Sequence, residues 1–305
     1  MRHEAAHPST PTVSVVIASG AGGEFLARCL DSLRAQTASC EEVLVVDRCG
    51  GVTADRVREE YPFATLIEAP GDPRPSVPQL RATGVDHARG DVVAIIEEHC
   101  VAPPHWIETI RAAFREGDAA IGGPILDRDY ARVRDWVVYL SEYNAYLPPW
   151  AEGERAELNG ANIAYDRQKI LRHRDVLDSG YWEVVLHPHL ARDGPFRAVP
   201  GMGVHHTGPF DYGYYLGQRF LLSRVWGGMQ RERVSPARRL VYLVTAPVFP
   251  PLLLARIARR VAESGVPFRK FLAATPLLVP VAAAYVGGEW TGYLRGVGDA
   301  LERVE

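Results

Sequence analysis

Paired cysteines are missing from this chain. Its four, Cys29, Cys40, Cys49 and Cys100, form no Cys-x-x-Cys and show no zinc-finger spacing. A disulfide framework or a structural zinc is thereby excluded as the organising device, and the thiols suit small buried residues in a reducing compartment. The polar stretch Met1–Pro11 lacks the apolar core of a secretory signal, so the catalytic part is expected in the cytoplasm. No repeat of fixed period is present, which removes solenoids and propellers. No glycine-rich loop with a following lysine stands near residue 20, the nearest lysine being Lys169, and this argues against nucleotidyl transfer. The basic residues lack interleaved aromatic positions and any reader motif, so no nucleic-acid partner is expected.

What is present is ordinary for a folded chain of 305 residues: 47% apolar and 23% charged. The net charge of −3 hides an asymmetry. Residues 219–270 carry eleven basic side chains against Glu232 and Glu263, about +9, which leaves about −12 elsewhere. A basic block fused to apolar sequence points to a surface facing anionic lipid or phosphate.

The stretch from Asp91 to Trp106 is central. Val92–Ile96 is apolar and β-branched without alternation, as in a parallel strand covered on both faces. It then delivers Glu97, Glu98 and His99. Extended geometry predicts Glu97 and His99 on one face and Glu98 on the other. Upstream, Val13–Ala18 reads as a buried strand ending in Ser19-Gly-Ala-Gly-Gly23, a loop that lets a ligand approach the backbone. Glu24–Thr37 has helical spacing, Glu42–Asp47 is a second strand ending in an acid, and Thr53–Tyr61 is a polar helix. Thr65–Glu68 is a third strand and Ser76–Ala88 a helix. This alternation predicts an open, mostly parallel α/β sheet with right-handed crossovers. Ligand chemistry belongs at the carboxyl ends of such strands.

In this order the motifs resemble the family-2 glycosyltransferases of GT-A fold. They are the first strand, the acid-ended strand at Asp47, Arg81-x-x-Gly84, Ala88-x-Gly-Asp91, and a central strand running into prolines and Trp106. Downstream come Asn159–Tyr165, Trp182-Glu183 and Val204-His-His206. The resemblance spans roughly residues 12–230. The departure is Glu97-Glu98-His99 where that family usually shows Asp-x-Asp. The resemblance implies a GT-A, Rossmann-like sheet with flanking helices and an inverting, nucleotide-sugar-dependent transferase.

On that expectation, Ser19, Asp47, Arg81, Glu97 and Glu98 meet the nucleotide sugar, of UDP or GDP type. Gly160, Ala161, Asn162 and Trp182 line the acceptor side, and Glu183 is the general base that takes a proton from the attacking hydroxyl. A divalent ion, Mn²⁺ or Mg²⁺, would bridge the leaving diphosphate, with Glu97, His99 and His206 as candidate ligands. A metal-poor site in which Arg48 or Arg81 meets the diphosphate is the alternative. So is a non-catalytic sugar-nucleotide or glycan-binding module that keeps the fold.

Leu240–Ala255 and Phe271–Gly287 are apolar runs broken by prolines, each short of the ~20 residues that span a bilayer. A two-span hairpin would place Arg256, Arg259, Arg260, Arg269 and Lys270 in a translocated loop, against the positive-inside tendency. Interfacial or re-entrant helices with arginines on anionic headgroups fit better. The expected organisation is a tail over 1–11, a transferase domain over 12–232 (nucleotide half 12–106, acceptor half 107–232) and a membrane-associated helical region over 233–305. The expected location is the cytoplasmic face of the membrane, with a lipid-linked or envelope glycan as acceptor.

Overall fold

The computed structural model describes residues 10–72, 74–127, 130–178 and 183–304. Its strands are β1 (Val13–Ser19), β2 (Glu42–Asp47), β3 (Ala64–Glu68), β4 (Val92–Ile96), β5 (Cys100–Val101), β6 (Ala120–Gly122), β7 (Ile125–Leu126), β8 (Gly153–Arg155), β9 (Asn162–Asp166), β10 (Phe196–Ala198) and β11 (Val204–His206). Eight of them form one sheet in the order β3-β2-β1-β4-β9-β6-β10-β8. The first four run parallel, as the alternation of strands and helices predicts. β9 then enters antiparallel between β4 and β6, so the sheet is mixed at its centre.

Two of the sequence motifs are building devices. Gly84 lies against β1, where an added Cβ would collide with Val16, so the glycine lets helix Val77–His87 rest on the strand and carries Arg81 with it. At Gly90 an added Cβ would stand 2.7 Å from the Ser14 backbone nitrogen. Asp91 beyond it accepts from the backbone and hydroxyl of Thr12 at 2.9 and 2.8 Å, which fixes the start of β4 beside β1. The core between sheet and helices is aliphatic, with Val16, Leu44, Val85, Ile95 and Ile163 almost fully buried. One buried ion pair, Arg197 on Asp118, ties β10 to the turn before β6.

The chain divides into two compact units. One comprises Met1–Gly71, Val77–Pro124 and Trp150–Val204; the other comprises Asp72–Ser76, Ile125–Pro149 and His205–Glu305. In the second, helices Tyr212–Arg233 and Phe268–Arg295 approach backbone to backbone. A Cβ on Gly227 would lie 2.6 Å from the Glu289 carbonyl oxygen, and Cβ atoms on Gly288 and Gly292 would collide with the carbonyls of Phe220 and Arg224. The small-residue spacing Gly288-x-x-x-Gly292 is of the kind that lets apolar helices pack closely.

Two helical segments, Pro236–Glu263 and Phe268–Arg295, each have 28 residues, a mean hydropathy of 1.7 in their most apolar window, and length enough to cross a membrane. The apolar runs alone fall short, but the helices continue past them into flanking arginines, whose aliphatic stems extend the apolar face. Only 17% of that window in the first segment is buried. Of the sixteen large apolar side chains exposed among the described residues, ten lie within residues 236–295, from Leu240 to Leu294, so apolar exposure is concentrated on these helices.

Candidate active site

The loop that follows β1 is built first. β1 and β2 pair so that Ser19 stands opposite Asp47. Ser19 Oγ donates to Asp47 Oδ1 at 2.6 Å, and the Gly50 backbone N–H donates to Oδ2 at 2.7 Å. Both side chains are buried. Asp47 therefore ties two strand ends and starts the turn into helix Gly51–Glu60, with both carboxylate oxygens already engaged. Glu98 braces the glycine loop: Oε1 accepts from Gly20 N and Ala21 N at 3.0 and 2.7 Å, and Oε2 from Gly22 N at 2.8 Å. Three successive amides around one carboxylate make an anion nest filled from within. Burial pushes the Glu98 carboxyl upward, opposed by His99 and by those amides.

The extended-chain expectation for Glu97 and His99 does not hold. The strand ends at Ile96, and Cys100 N donates to Glu97 O at 2.8 Å, closing a tight turn over residues 97–100. A turn has no two-residue alternation, so the three side chains diverge. Glu98 goes to the glycine loop, the His99 ring packs on Phe25 with centroids 4.3 Å apart, and Glu97 faces Arg81.

Arg81 is the centre of the arrangement. It is 6% exposed on helix Val77–His87, and its Nη1 donates to Glu183 Oε1 at 3.1 Å while Nη2 lies 3.6 Å from Glu97 Oε1. One guanidinium thus joins the carboxylate at the end of β4 to the carboxylate opening helix Glu183–Leu190, more than 80 residues later in the chain. Both carboxylates keep partial exposure, 29% for the Glu97 side chain and 38% for that of Glu183. Gly160 completes the wall: an added Cβ would collide with Glu183 Oε1, so the absence of a side chain there makes room for the ion pair. Trp182, expected on the acceptor side, lies outside the described residues.

The neighbouring loop is anchored internally. Ala161 N donates to Asn159 Oδ1 at 2.7 Å, and Glu97 N donates to Ala161 O at 3.0 Å, which pins the loop beside the β4 terminus. Asn162, fully buried, accepts from Trp106 Nε1 at 3.0 Å and donates to Met202 O at 2.6 Å. It holds the start of β9, with its amide engaged by the protein. His206 is buried in an aromatic setting, its Nδ1 2.9 Å from the Tyr130 hydroxyl and its ring stacked 4.8 Å from Phe210.

Among the described residues no three His, Cys, Asp or Glu side chains converge as a metal-ligand group. A partly exposed Glu97, on the turn that also carries His99, fits an ion held by one or two protein ligands and a bound diphosphate.

Two further residues, His187 and Tyr165, interact electrostatically with this cluster. His187 lies four residues after Glu183 on the same short helix, and its Nε2 is 2.8 Å from the Tyr165 hydroxyl. The ring is 2% exposed, meets Phe196 edge-on at 4.9 Å, and among the described residues leaves Nδ1 without a hydrogen-bond partner. Burial pulls the imidazole down to about 4, with Glu183 opposing and Arg81 reinforcing the shift. The i, i+4 spacing from Glu183 was the sequence signal for it.

The family model for glycosyl transferase family 2 matches residues 14–179, more than half of the chain. The chain belongs to glycosyl transferase family 2. Among curated proteins it is 27% identical over 162 residues to a glucosyl-dolichyl phosphate glucuronosyltransferase of Haloferax volcanii, covering 48% of this chain and 50% of that protein. The chain thus spans about half the length of the curated relative it matches. Among solved structures it is similar to the mannosyltransferase PcManGT from Pyrobaculum calidifontis, in complex with GDP-Man and Mn²⁺. The TM-score is 0.57 at 17% identity, covering 94% of this chain and 88% of that one. That likeness shows the GT-A fold, and the family-2 membership expected from the motif order holds.

Proposed function

We propose that this family-2 member is an inverting glycosyltransferase. It moves a sugar from a UDP- or GDP-type donor to a hydroxyl of a lipid-linked or envelope glycan at the cytoplasmic face of the membrane. The observation that carries this is the Glu97–Arg81–Glu183 cluster at the end of the central strand. Glu183 takes the proton of the attacking hydroxyl as its oxygen bonds to the anomeric carbon, and the bond from that carbon to the diphosphate breaks, releasing the nucleotide diphosphate. Arg81, buried between two carboxylates, holds Glu183 in place and presents positive charge toward the leaving group. When bound, a divalent ion supplies charge neutralisation on the diphosphate; Glu97 and His99 would hold it.

The name of the Haloferax relative and the Mn²⁺ complex of the Pyrobaculum neighbour support the acceptor class and the ion. The concentration of exposed apolar and arginine side chains over residues 236–270 supports membrane association.

Thermal melting of the full chain with UDP, GDP and their sugars, with and without Mn²⁺ or Mg²⁺, tests the donor side. One nucleotide series is expected to raise Tm by several degrees, since ligand at 100 times Kd stabilises by about 2.7 kcal/mol. The metal should enlarge the shift, and His99→Ala should shrink that increment. Nucleotide binding indifferent to chelator, with no donor turnover under any metal, would instead identify a non-catalytic binding module.

A further inference from the structure

Helix Glu183–Leu190 carries the acceptor-side carboxylate at its first residue, yet it has only eight residues and contains Pro188. A helix that short is marginal on its own, and the proline removes one backbone donor, so tertiary contacts decide which way its faces turn. Leu186 and Leu190 bury apolar surface, a contact that tolerates sliding. The directional contact comes from His187, whose Nε2 meets the Tyr165 hydroxyl at 2.8 Å while Phe196 closes the ring from the side.

The Tyr165 backbone is held in the sheet, because β9 is paired on both edges: Tyr165 stands opposite Val93 of β4 and Ala120 of β6. Its side chain is fully buried, and His187 ties the helix to its hydroxyl. One turn back on that helix, Glu183 meets Arg81, which sits close enough to Tyr165 and His187 to interact electrostatically with both. Tyrosine, imidazole, helix, carboxylate and guanidinium form a chain of contacts, which the electrostatic interaction between Arg81 and Tyr165 closes.

We propose that Tyr165 and His187 are positioning residues that set the Glu183–Arg81 geometry on which transfer depends. The proposal rests on Glu183 being the base. A leucine of similar volume at 187 would fill the same space, so simple packing does not account for a buried imidazole whose Nδ1 has no partner among the described residues, an arrangement that carries a desolvation cost. A neutral ring also suits this position, because a second cation would compete with Arg81 for Glu183.

The test uses the full chain in detergent with tritiated UDP-glucose or GDP-mannose, whichever the melting screen selects, and a membrane lipid extract as acceptor. Variants H187F, H187Q and Y165F are compared with E183Q. H187F and Y165F are expected to lower kcat by roughly 10–100-fold with donor KM within about two-fold, the signature of a misplaced group rather than lost donor binding. H187Q should recover to within about three-fold of wild type, since its amide nitrogen reaches the place of Nε2.

With E183Q inactive, wild-type kcat in H187F and Y165F overturns the positioning role alone, as does an H187Q no better than H187F. Substantial activity in E183Q overturns both this role and the base assignment. Where H187F fails to fold, Y165F, which deletes a single oxygen, carries the same comparison.

Discussion

Replacing Glu183 with glutamine is expected to lower kcat by about 10²–10⁴-fold while nucleotide-sugar binding stays near wild type. Glutamine keeps the size of the side chain and its hydrogen-bonding reach toward Arg81, but it has no basic oxygen to accept the acceptor's proton. The cost should therefore fall on the chemical step. The loop Ser19–Gly22, proposed to meet the donor, is held by Glu98, and Asp47 is satisfied by Ser19 and Gly50. Neither depends on Glu183, so melting shifts with the nucleotide should survive. Initial rates with radiolabelled donor, set beside the nucleotide-induced Tm shift in the same preparation, check the prediction. Parallel loss of both would place Glu183 in donor binding.

The second large effect concerns acid. The His187 imidazole sits at about 4 in the folded chain against an ordinary value of 6.5, chiefly because burial disfavours its charged form. Between those values the unfolded chain binds a proton that the folded chain refuses. Stability from this residue is therefore complete above about pH 6.5, falls as pH drops toward 4, and is gone below it. A gap that wide corresponds to about 3 kcal/mol, of the order of a third of a typical domain's stability. Glu183 and Arg81, the charged groups facing the ring, shift the position of this window in opposite directions. Denaturant unfolding at pH 7.5 and pH 4.5 should show a loss in the wild type that is markedly smaller in H187Q. Equal losses in both proteins would assign the acid sensitivity to other groups.

Much of the fold was legible because parallel strands covered on both faces are written as uninterrupted apolar runs, and β1, β2 and β4 fall where Val13–Ala18, Glu42–Asp47 and Val92–Ile96 predict them. The motif glycines were legible as well, though their reasons appear only in three dimensions: Gly84 for contact with Val16, Gly160 for the room occupied by Glu183. Strand alternation failed at Glu97–Cys100 because a local hydrogen bond, Cys100 N to Glu97 O, outweighs any pattern of side chains.

Residue type alone could not separate the roles of Glu97 and Glu98. The nest of amides that captures Glu98 comes from a loop more than seventy residues earlier. The same distance problem hid Arg81 as the link between two carboxylates, since its partners lie 16 and 102 positions away. Asn162 carried an acceptor-side expectation, yet its amide is satisfied by Trp106 and Met202. His187 offers only its i, i+4 spacing from Glu183 as a sequence signal, and that spacing takes on meaning only once its partner Tyr165 is known.

The central claim is that a single carboxylate, Glu183, faces the anomeric carbon across the cleft from the departing diphosphate. The most direct test is the anomeric configuration of the product, read by proton NMR from a transfer with an α-linked nucleotide-sugar donor. A displacement assisted by one base predicts a β-linked product and its disappearance with E183Q. An α-linked product, or the same product from E183Q at wild-type rate, would contradict it.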